Sequence, residues 1–398
     1  VDGDTLNIVD NAILQRWLRG EPIAAATVVR TSNSAPLPAG ATMYLTQSGT
    51  VVGGVSGGCV EAAVCEIATR VLHDGCPRIE RFGIADDAAF EVGLTCGGTI
   101  EVFVQRIDRD SFPEFFQVAS RSHEPVTVAT VVRSSVSDRV GLRLLVRDDQ
   151  VTGSLGTPAL DSRVVDELSS IDGTTLRRYH IEKDSGDEVT EVFISVRRCA
   201  PRMVVFGAVD FAAAVAGIGS FLGYHVTVCD ARPTFATSER FSMADDVVVQ
   251  WPHQYLQAER DAGRLDGRTV LVALTHDAKF DIPLLRIALR SEGWLQRPAY
   301  VGALGSRRTH ADRCARLREI GMTEQELGLL RAPIGLNLRA VTAEETAVSI
   351  AAEIIAHRYG GDGRALTSTT GGIHPVGTRN APVGLVPTSP SPGCSTDS

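Results

Sequence analysis

M-V-V-F-G-A-V-D-F-A-A-A-V-A-G-I-G-S-F-L-G, running from Met203 to Gly223, admits two readings that lead to different proteins. It carries one charge, Asp210, and approaches the roughly 20 apolar residues of a membrane-spanning helix. However, β-branched residues crowd its start, Gly207 interrupts it, and an alanine-rich helical pattern follows. These features predict a buried strand, a turn and a helix packed on a sheet, with no membrane span. The same grammar continues towards the C-terminus. Strands expected at 203–206, 225–229, 246–249, 269–274 and 300–304 alternate with helices at 210–222, 254–262, 282–291, 307–320 and 343–358. Apolar strands without a polar face, separated by helices, predict a parallel sheet covered by helices. Thr342-Ala343-Glu344-Glu345 is a capping-box start for the last helix.

Towards the N-terminus the pattern becomes a repeat. P-I-A-A-A-T-V-V-R (Pro22 to Arg30) returns as P-V-T-V-A-T-V-V-R (Pro125 to Arg133). G-G-V-S-G-G-C-V-E (Gly53 to Glu61) lines up with G-S-L-G-T-P-A-L-D (Gly153 to Asp161), and Glu101-Val102-Phe103-Val104 with Glu191-Val192-Phe193-Ile194. In each copy strands lead to a glycine turn, a helix and closing strands, after an amphipathic helix over residues 6–19. The expected class is α/β, with a strand-rich α+β N-terminal region containing an internal repeat and a Rossmann-like parallel α/β domain behind it. The expected boundaries are 1–110 and 111–200 for the repeats, 201–360 for the parallel domain, and a disordered Gly, Ser, Thr and Pro tail over 361–398.

A chain of 398 residues with 43% hydrophobic content can bury a large core in two or three domains. A formal charge of -9 argues against a general nucleic-acid or anionic-membrane binder. Eight cysteines, none spaced C-x-x-C, fit neither a disulfide scaffold nor a structural zinc site. The acidic start V-D-G-D-T-L lacks the build of a signal peptide, so a cytoplasmic location with reduced thiols is expected. Sheet edges in the two repeats make a homodimer an expectation as well.

Two glycine-flanked cysteines stand out because the sister repeat lacks them. Cys59, after Ser56-Gly57-Gly58, aligns with Ala159, and nothing answers to Cys96 in Thr95-Cys96-Gly97-Gly98. The second repeat folds without either thiol, which points to function. Cys59 is expected at the first turn of a helix, where free N–H groups and the positive dipole end favour thiolate. Glu61 is a candidate to receive or deliver a proton. Such a thiolate beside anion-binding amides suits a ligand carrying sulfur or metal together with phosphate. Cys65, Cys76, Cys199, Cys229, Cys314 and Cys394 are read as packing or tail positions.

In the C-terminal half, Gly207-Ala208-Val209-Asp210-Phe211-Ala212 sits where a dinucleotide fingerprint would stand. Val209 opposes the close approach of a pyrophosphate and Asp210 adds negative charge, so NAD(P) is doubtful. Asp230, at the end of the next strand, is nevertheless placed for a ribose hydroxyl. A better anion site is Gly305-Ser306-Arg307-Arg308, between a buried strand and a helix. His276 and Asp277 follow the preceding strand, again at a strand's carboxyl end.

Together these strings resemble the XdhC/CoxI family of maturation factors for molybdenum hydroxylases. The carriers are Gly53–Glu61, G-L-T-C-G-G (93–98), V-V-F-G-A (204–208), V-T-V-C-D-A-R (226–232), T-H-D (275–277), Y-V-G-A-L-G-S-R-R (300–308) and P-I-G-L-N (333–337). The resemblance implies a CoxI-like N-terminal region and a Rossmann-like C-terminal domain. It also implies binding and protection of the molybdenum cofactor (molybdopterin or its cytosine dinucleotide), help with sulfuration by a cysteine desulfurase, and delivery to the hydroxylase apo-subunit. On that reading Cys59, with Cys96, meets the metal-dithiolene end and Gly305 to Arg308 the phosphate end. No turnover of its own is needed. The competing readings are an NAD(P)- or cysteine-dependent oxidoreductase and an adaptor that recruits a sulfurtransferase.

Overall fold

A computed structural model describes residues 11–32, 35–83, 98–113, 125–147, 150–168, 170–171, 173–181 and 188–370. The chain forms two compact units. The first runs to Arg202 and includes Gly223–His225; the second comprises Met203–Leu222 and the chain from Val226. Both repeats therefore lie in one unit.

Helix α1 (Asn11–Leu18) opens the first unit; the rest of the expected 6–19 helix before Asn11 lies outside the described residues. The first repeat then builds β1 (Ile23–Ser32), β2 (Thr42–Thr46), β3 (Val51–Gly53), α2 (Glu61–Asp74), β4 (Arg78–Phe82) and β5 (Thr99–Ile107). The second builds β6 (Val126–Ser134), β7 (Arg143–Arg147), β8 (Gln150–Gly153), α3 (Pro158–Leu168), β9 (Thr175–Ile181) and β10 (Glu188–Arg197). Their sheets have the same order, β3-β2-β1-β5-β4 and β8-β7-β6-β10-β9. Even the irregularities match: a bulge skips Val29 opposite β5, and one skips its counterpart Val132 opposite β10.

Alternation along β1 and β5 explains the layering. Ala24, Ala26, Val28, Val102 and Val104 pack under Val64, Ile67, Ala68 and Val71 of α2. Ile23, Ala25 and Ile107 face Val126, Val128 and Leu145 of the other repeat, and Val29 and Phe103 face Val132 and Phe193. The two sheets thus meet face to face, each with its helix outside. Strands buried on both faces read as continuous apolar runs, which is why β1 and β6 look alike in the sequence.

The second unit builds β11 (Arg202–Phe206), α4 (Asp210–Phe221), β12 (His225–Asp230), β13 (Asp246–Val249), α5 (Pro252–Asp261), β14 (Val270–Ala273) and α6 (Ala278–Leu289). It continues with β15 (Tyr300–Ala303), α7 (Arg307–Glu319), α8 (Glu324–Leu327), β16 (Leu330–Arg331) and α9 (Ala343–Tyr359). The sheet order β13-β12-β11-β14-β15-β16 is the doubly wound order with its switch point between β11 and β14. The pairings β12–β13, β11–β14, β14–β15 and β15–β16 are all parallel. Met203 to Gly223 is a strand, turn and helix, and no helix among the described residues is long and apolar enough to cross a membrane.

Helix α6 begins one turn earlier than the sequence predicts. Asp277 caps it by accepting from the Lys279 N–H at 3.1 Å, and Pro283 is carried inside the helix. Thr342 and Glu345 form the expected capping box of α9. The short β16 and α8 carry too few residues to show a period and were not expected. Residues 361–370 are described and include a single turn at Leu366–Ser368; the rest of the expected tail lies outside the described residues.

Candidate functional site

Gly57 and Gly58 decide where Cys59 stands. Both have positive φ, +75° and +119°, so the helix cannot propagate back through them. Helix α2 starts at Glu61, and Cys59 lies just before its N-cap, Val60. In the sister repeat Thr157-Pro158 replaces Gly57-Gly58; proline suits the first helical position, and α3 begins at Pro158. Ala159, the counterpart of Cys59, is consequently inside the helix. The sequence placed Cys59 in the first turn. The glycine pair instead holds it out on the loop, partly buried against the first-repeat core.

The amides expected to greet an anion already have acceptors. The Glu61 carboxylate accepts from the N–H groups of Val55 (3.2 Å), Ser56 (2.8 Å), Gly58 (2.8 Å) and Val60 (3.2 Å), and from the Ser56 hydroxyl at 2.6 Å. Ser56 Oγ in turn accepts from Cys59 N–H and Val60 N–H, each at 3.0 Å. Partial burial works against ionisation of Glu61, but the hydroxyl and amide donors outweigh it and lower its pKa to about 2. A carboxylate so held is an anchor for the loop. Asp161 does the same in the sister repeat, accepting from Ser154 Oγ and Leu155 N–H, each at 2.7 Å. The acidic anchor is thus common to both repeats, whereas the glycine pair and the thiol belong to one.

Cys96 and Gly97 lie outside the described residues. The strand ends that flank them, Phe82 and Thr99, stand at the same end of the sheet as the loop that follows β3. The other described cysteines keep their packing roles where they are buried. Cys229 is fully buried, and burial followed by the neighbouring Asp230 raises its thiol to about 12. Cys76 is exposed at a turn.

In the second unit the residues around the switch point engage one another. Gly207 (φ +109°) lies so close to Thr275 that a Cβ would meet Thr275 Cγ2 at 2.7 Å. Asp230, expected at a ribose, accepts from the Ala208 N–H at 2.7 Å and from Arg232 through N–H, Nε and Nη2 at 2.9, 2.9 and 2.7 Å. Arg240 holds the Ala208 carbonyl at 3.3 Å and Asp210 at 3.2 Å. The fingerprint loop is thus bonded to protein on both sides, through the Ala208 amide and carbonyl and through Asp210.

His276 and Asp277 do not act as a pair: His276 is exposed, while Asp277 caps α6 and bridges Lys279 at 3.1 Å. Ser306 is the N-cap of α7, accepting from the Thr309 N–H at 3.1 Å. Arg307 and Arg308 are exposed beside it, with no hydrogen-bond partner among the described residues. Gly305 (φ +146°) overlies Arg313, a residue the sequence did not single out. Arg313, on α7, is 3% exposed and ties α6 to two strand-end loops, donating to Asp281 at 2.8 Å and to the Leu304 carbonyl at 3.0 Å, while Thr275 donates to the other Asp281 oxygen. Arginine and aspartate 32 residues apart give no local pattern from which this pair could be found.

Comparison with known proteins agrees with this architecture. The XdhC Rossmann domain model matches residues 203–354, and the XdhC and CoxI family model matches 16–83 and 119–180. The molybdenum cofactor insertion chaperone PaoD of Escherichia coli is 26% identical over 345 residues, covering 87% of this chain and 86% of PaoD. A Bacillus subtilis protein described as a probable xanthine dehydrogenase subunit is 27% identical over 340 residues, 85% of this chain and 94% of that protein. The fold matches that of a Bacillus halodurans protein described as a xanthine dehydrogenase, with a TM-score of 0.62 at 24% identity over 88% of this chain and 94% of that one. With one model on the repeat unit and the other on the doubly wound unit, the chain belongs to the XdhC and CoxI family.

Proposed function

We propose that this chain carries the molybdenum cofactor as cargo, protects it, assists its sulfuration alongside a cysteine desulfurase, and inserts it into the apo-subunit of a molybdenum hydroxylase of the xanthine or carbon monoxide dehydrogenase type. The name of the PaoD relative supports cofactor insertion, and that of the Bacillus subtilis relative supports a xanthine dehydrogenase as the destination. The form carried is molybdopterin or its cytosine dinucleotide. The setting is the cytoplasm, where thiols stay reduced, and two copies pair through exposed sheet edges such as β8.

One observation carries this reading. The first repeat breaks its helix with two glycines and presents Cys59 on an anchored loop, and the second repeat does neither. A thiolate is a soft ligand suited to a metal-dithiolene centre. The residues present fit that cargo: Ser56, Gly57 and Gly58 shape the loop, Cys59 supplies the sulfur, and Cys96 with Gly97 is the second candidate contact. In the other unit, the exposed guanidinium groups of Arg307 and Arg308 beside Gly305 and Ser306 are candidates for a phosphate. An NAD(P)-dependent oxidoreductase finds no support in the loop at Gly207, whose Ala208 N–H and partner acid Asp230 are engaged.

The test is the load of freshly purified, anaerobically handled protein. Pterin fluorescence after oxidation and bound molybdenum are expected in the wild type and largely lost in Cys59→Ala. Equal pterin and metal in both proteins would sink the thiol assignment. Saturable NAD(P)H binding in the micromolar range would restore the oxidoreductase reading. Co-purification as a permanent stoichiometric component of the hydroxylase, with no release after cofactor transfer, would replace the insertion factor by a resident structural partner.

A further inference from the structure

A pocket of about 220 Å³ opens in the first repeat among Arg30, Thr31, Ser32, Arg81, Thr99 and Glu101. It exists because the two repeats finish the same construction differently. At their shared face, Arg30 and its counterpart Arg133 cross-link Glu101 and its counterpart Glu191: Arg30 to Glu191 at 3.1 Å and to Glu101 at 3.7 Å, Arg133 to Glu191 at 3.0 Å and to Glu101 at 3.1 Å. A further arginine stands opposite each glutamate on the neighbouring strand, Arg178 opposite Glu191 and Arg81 opposite Glu101. Arg178 closes on its glutamate at 2.7 Å. Arg81 is exposed and makes no ion pair or hydrogen bond among the described residues.

The hydroxyl groups differ in the same way. In the second repeat Ser134 and Thr190 bond to each other at 3.2 Å. In the first, the hydroxyls of Thr31, Ser32 and Thr99 have no hydrogen-bond partner among the described residues, and all three line the pocket. Charge points the same way, since four guanidinium groups surround two carboxylates. Among the described residues the cluster therefore carries more guanidinium groups than carboxylates, next to a cavity lined by two arginines, three hydroxyls and Glu101.

We infer that this pocket binds a tetrahedral oxyanion: Arg81 supplies the fork of N–H donors, the three hydroxyls complete the shell, and Arg30 and the arginines behind it supply the field. The site is independent of the Cys59 assignment and stands or falls separately. The shared chemistry is a tetrahedral dianion, whether a phosphomonoester end of an organic ligand or a free inorganic oxyanion.

Calorimetric titration of the full chain at low ionic strength, with chloride as the control anion, tests it. Inorganic phosphate, sulfate and molybdate form the separate arms. A fourth arm, glycerol 3-phosphate, separates the sources: preference for it over inorganic phosphate identifies a phosphomonoester site, and preference for an inorganic arm identifies a free oxyanion site. At least one arm is expected to saturate at one site per chain. Arg81→Gln is expected to weaken binding roughly tenfold or more, because a hydrogen bond between charged groups is lost. Ser32→Ala, on an exposed hydroxyl, weakens it less. Arg163→Gln removes the same charge from the outer helix of the sister repeat and leaves the affinity within about a factor of two, because Arg163 belongs neither to the arginine–glutamate cluster nor to the pocket lining. Absence of saturable binding in every arm, or equal affinity in wild type and Arg81→Gln, overturns the inference.

Discussion

Glu61 illustrates how a residue that looks catalytic in a string becomes architectural in three dimensions. Its oxygens are engaged by five donors from the loop it closes, so it is held ionised. Its pKa falls from an ordinary 4.5 to about 2 in the fold. A depressed carboxylate contributes stability that is complete above its unfolded value and is lost as pH falls from there through the folded one. Acidification from about 4.5 towards about 2 is therefore expected to weaken the loop. Glu61→Gln presents an amide N–H₂ to N–H donors, and should cost about 1–3 kcal/mol and remove that acid-dependent component. Melting curves across this pH range check both expectations. Loss of the anchor also releases the Cys59 loop, so alkylation of Cys59 should run faster in Glu61→Gln than in the wild type; an unchanged rate would show that the loop holds without it.

Arg313 sits at the opposite extreme, a buried charge whose value depends on its partner. Asp281 and Arg313 are 4% and 3% exposed at their side chains. Removing one leaves the other charged and enclosed, so Arg313→Met should cost about 3–5 kcal/mol. Replacing both by apolar residues of similar volume should recover much of that loss. Chemical denaturation of the single and double variants measures the coupling. Additive losses would mean that the pair does not act as a unit.

At the scale of elements, the informative comparison is α2 against α3. The two helices occupy equivalent places, yet α3 starts at Pro158 while α2 waits until Glu61. A Cβ on Gly57 or Gly58 would meet nothing within 4 Å, so their requirement is one of backbone conformation and not of space. Copying the sister sequence, Gly57→Thr with Gly58→Pro, forbids the positive φ of Gly58. The helix is then expected to grow by about one turn and take Cys59 with it. Hydrogen exchange at Glu61, Ala62 and Ala63 should slow, because their N–H groups gain acceptors four residues back as Asp161 has in the sister repeat, and thiol modification should slow as well. Unchanged exchange would show that something other than the glycines holds the helix back.

The elements themselves were largely legible from the sequence. Long strands buried on both faces leave unbroken apolar runs, and the capping box at Thr342 marks its helix directly. The sites were legible only as positions. Strings cannot show that Asp230 folds onto Ala208 and Arg232, or that Glu61 turns back on its own loop, because side-chain partners are chosen by three-dimensional proximity. At the departure Val209-Asp210 the loop bonds within the protein, to Asp230 and Arg240, which the string could not show. Arg313 left no trace in the sequence, since its partners come from distant segments.

For the whole molecule, the first unit resembles a dimer written into one chain. Equivalent residues meet across the repeat interface: Val29 and Phe103 against Val132 and Phe193, and Arg30 with Glu101 against Arg133 with Glu191. Duplication of this kind lets one copy diverge while the other keeps the fold, and the two copies differ at two places, the Cys59 loop and the Arg81 pocket. The second copy became the more fully bonded partner. Glu191 gathers Arg30, Arg133 and Arg178, whereas Glu101 has Arg30 and Arg133. Partial burial raises the pKa of Glu191, but bonds to Arg178 and Arg133 and the field of Arg30 outweigh it and leave it depressed. The stability it contributes is present above the ordinary carboxylate range and disappears on acidification through its lowered value. Glu191→Gln is thus expected to destabilise the protein more than Glu101→Gln, by roughly 1–3 kcal/mol at neutral pH, with the difference shrinking as pH drops below about 4.5. Urea titrations of the two variants at neutral and acidic pH decide it. Equal losses, or a gap that does not narrow in acid, would place the inter-repeat lock in the apolar contacts of Val29, Phe103, Val132 and Phe193 instead of in the charges.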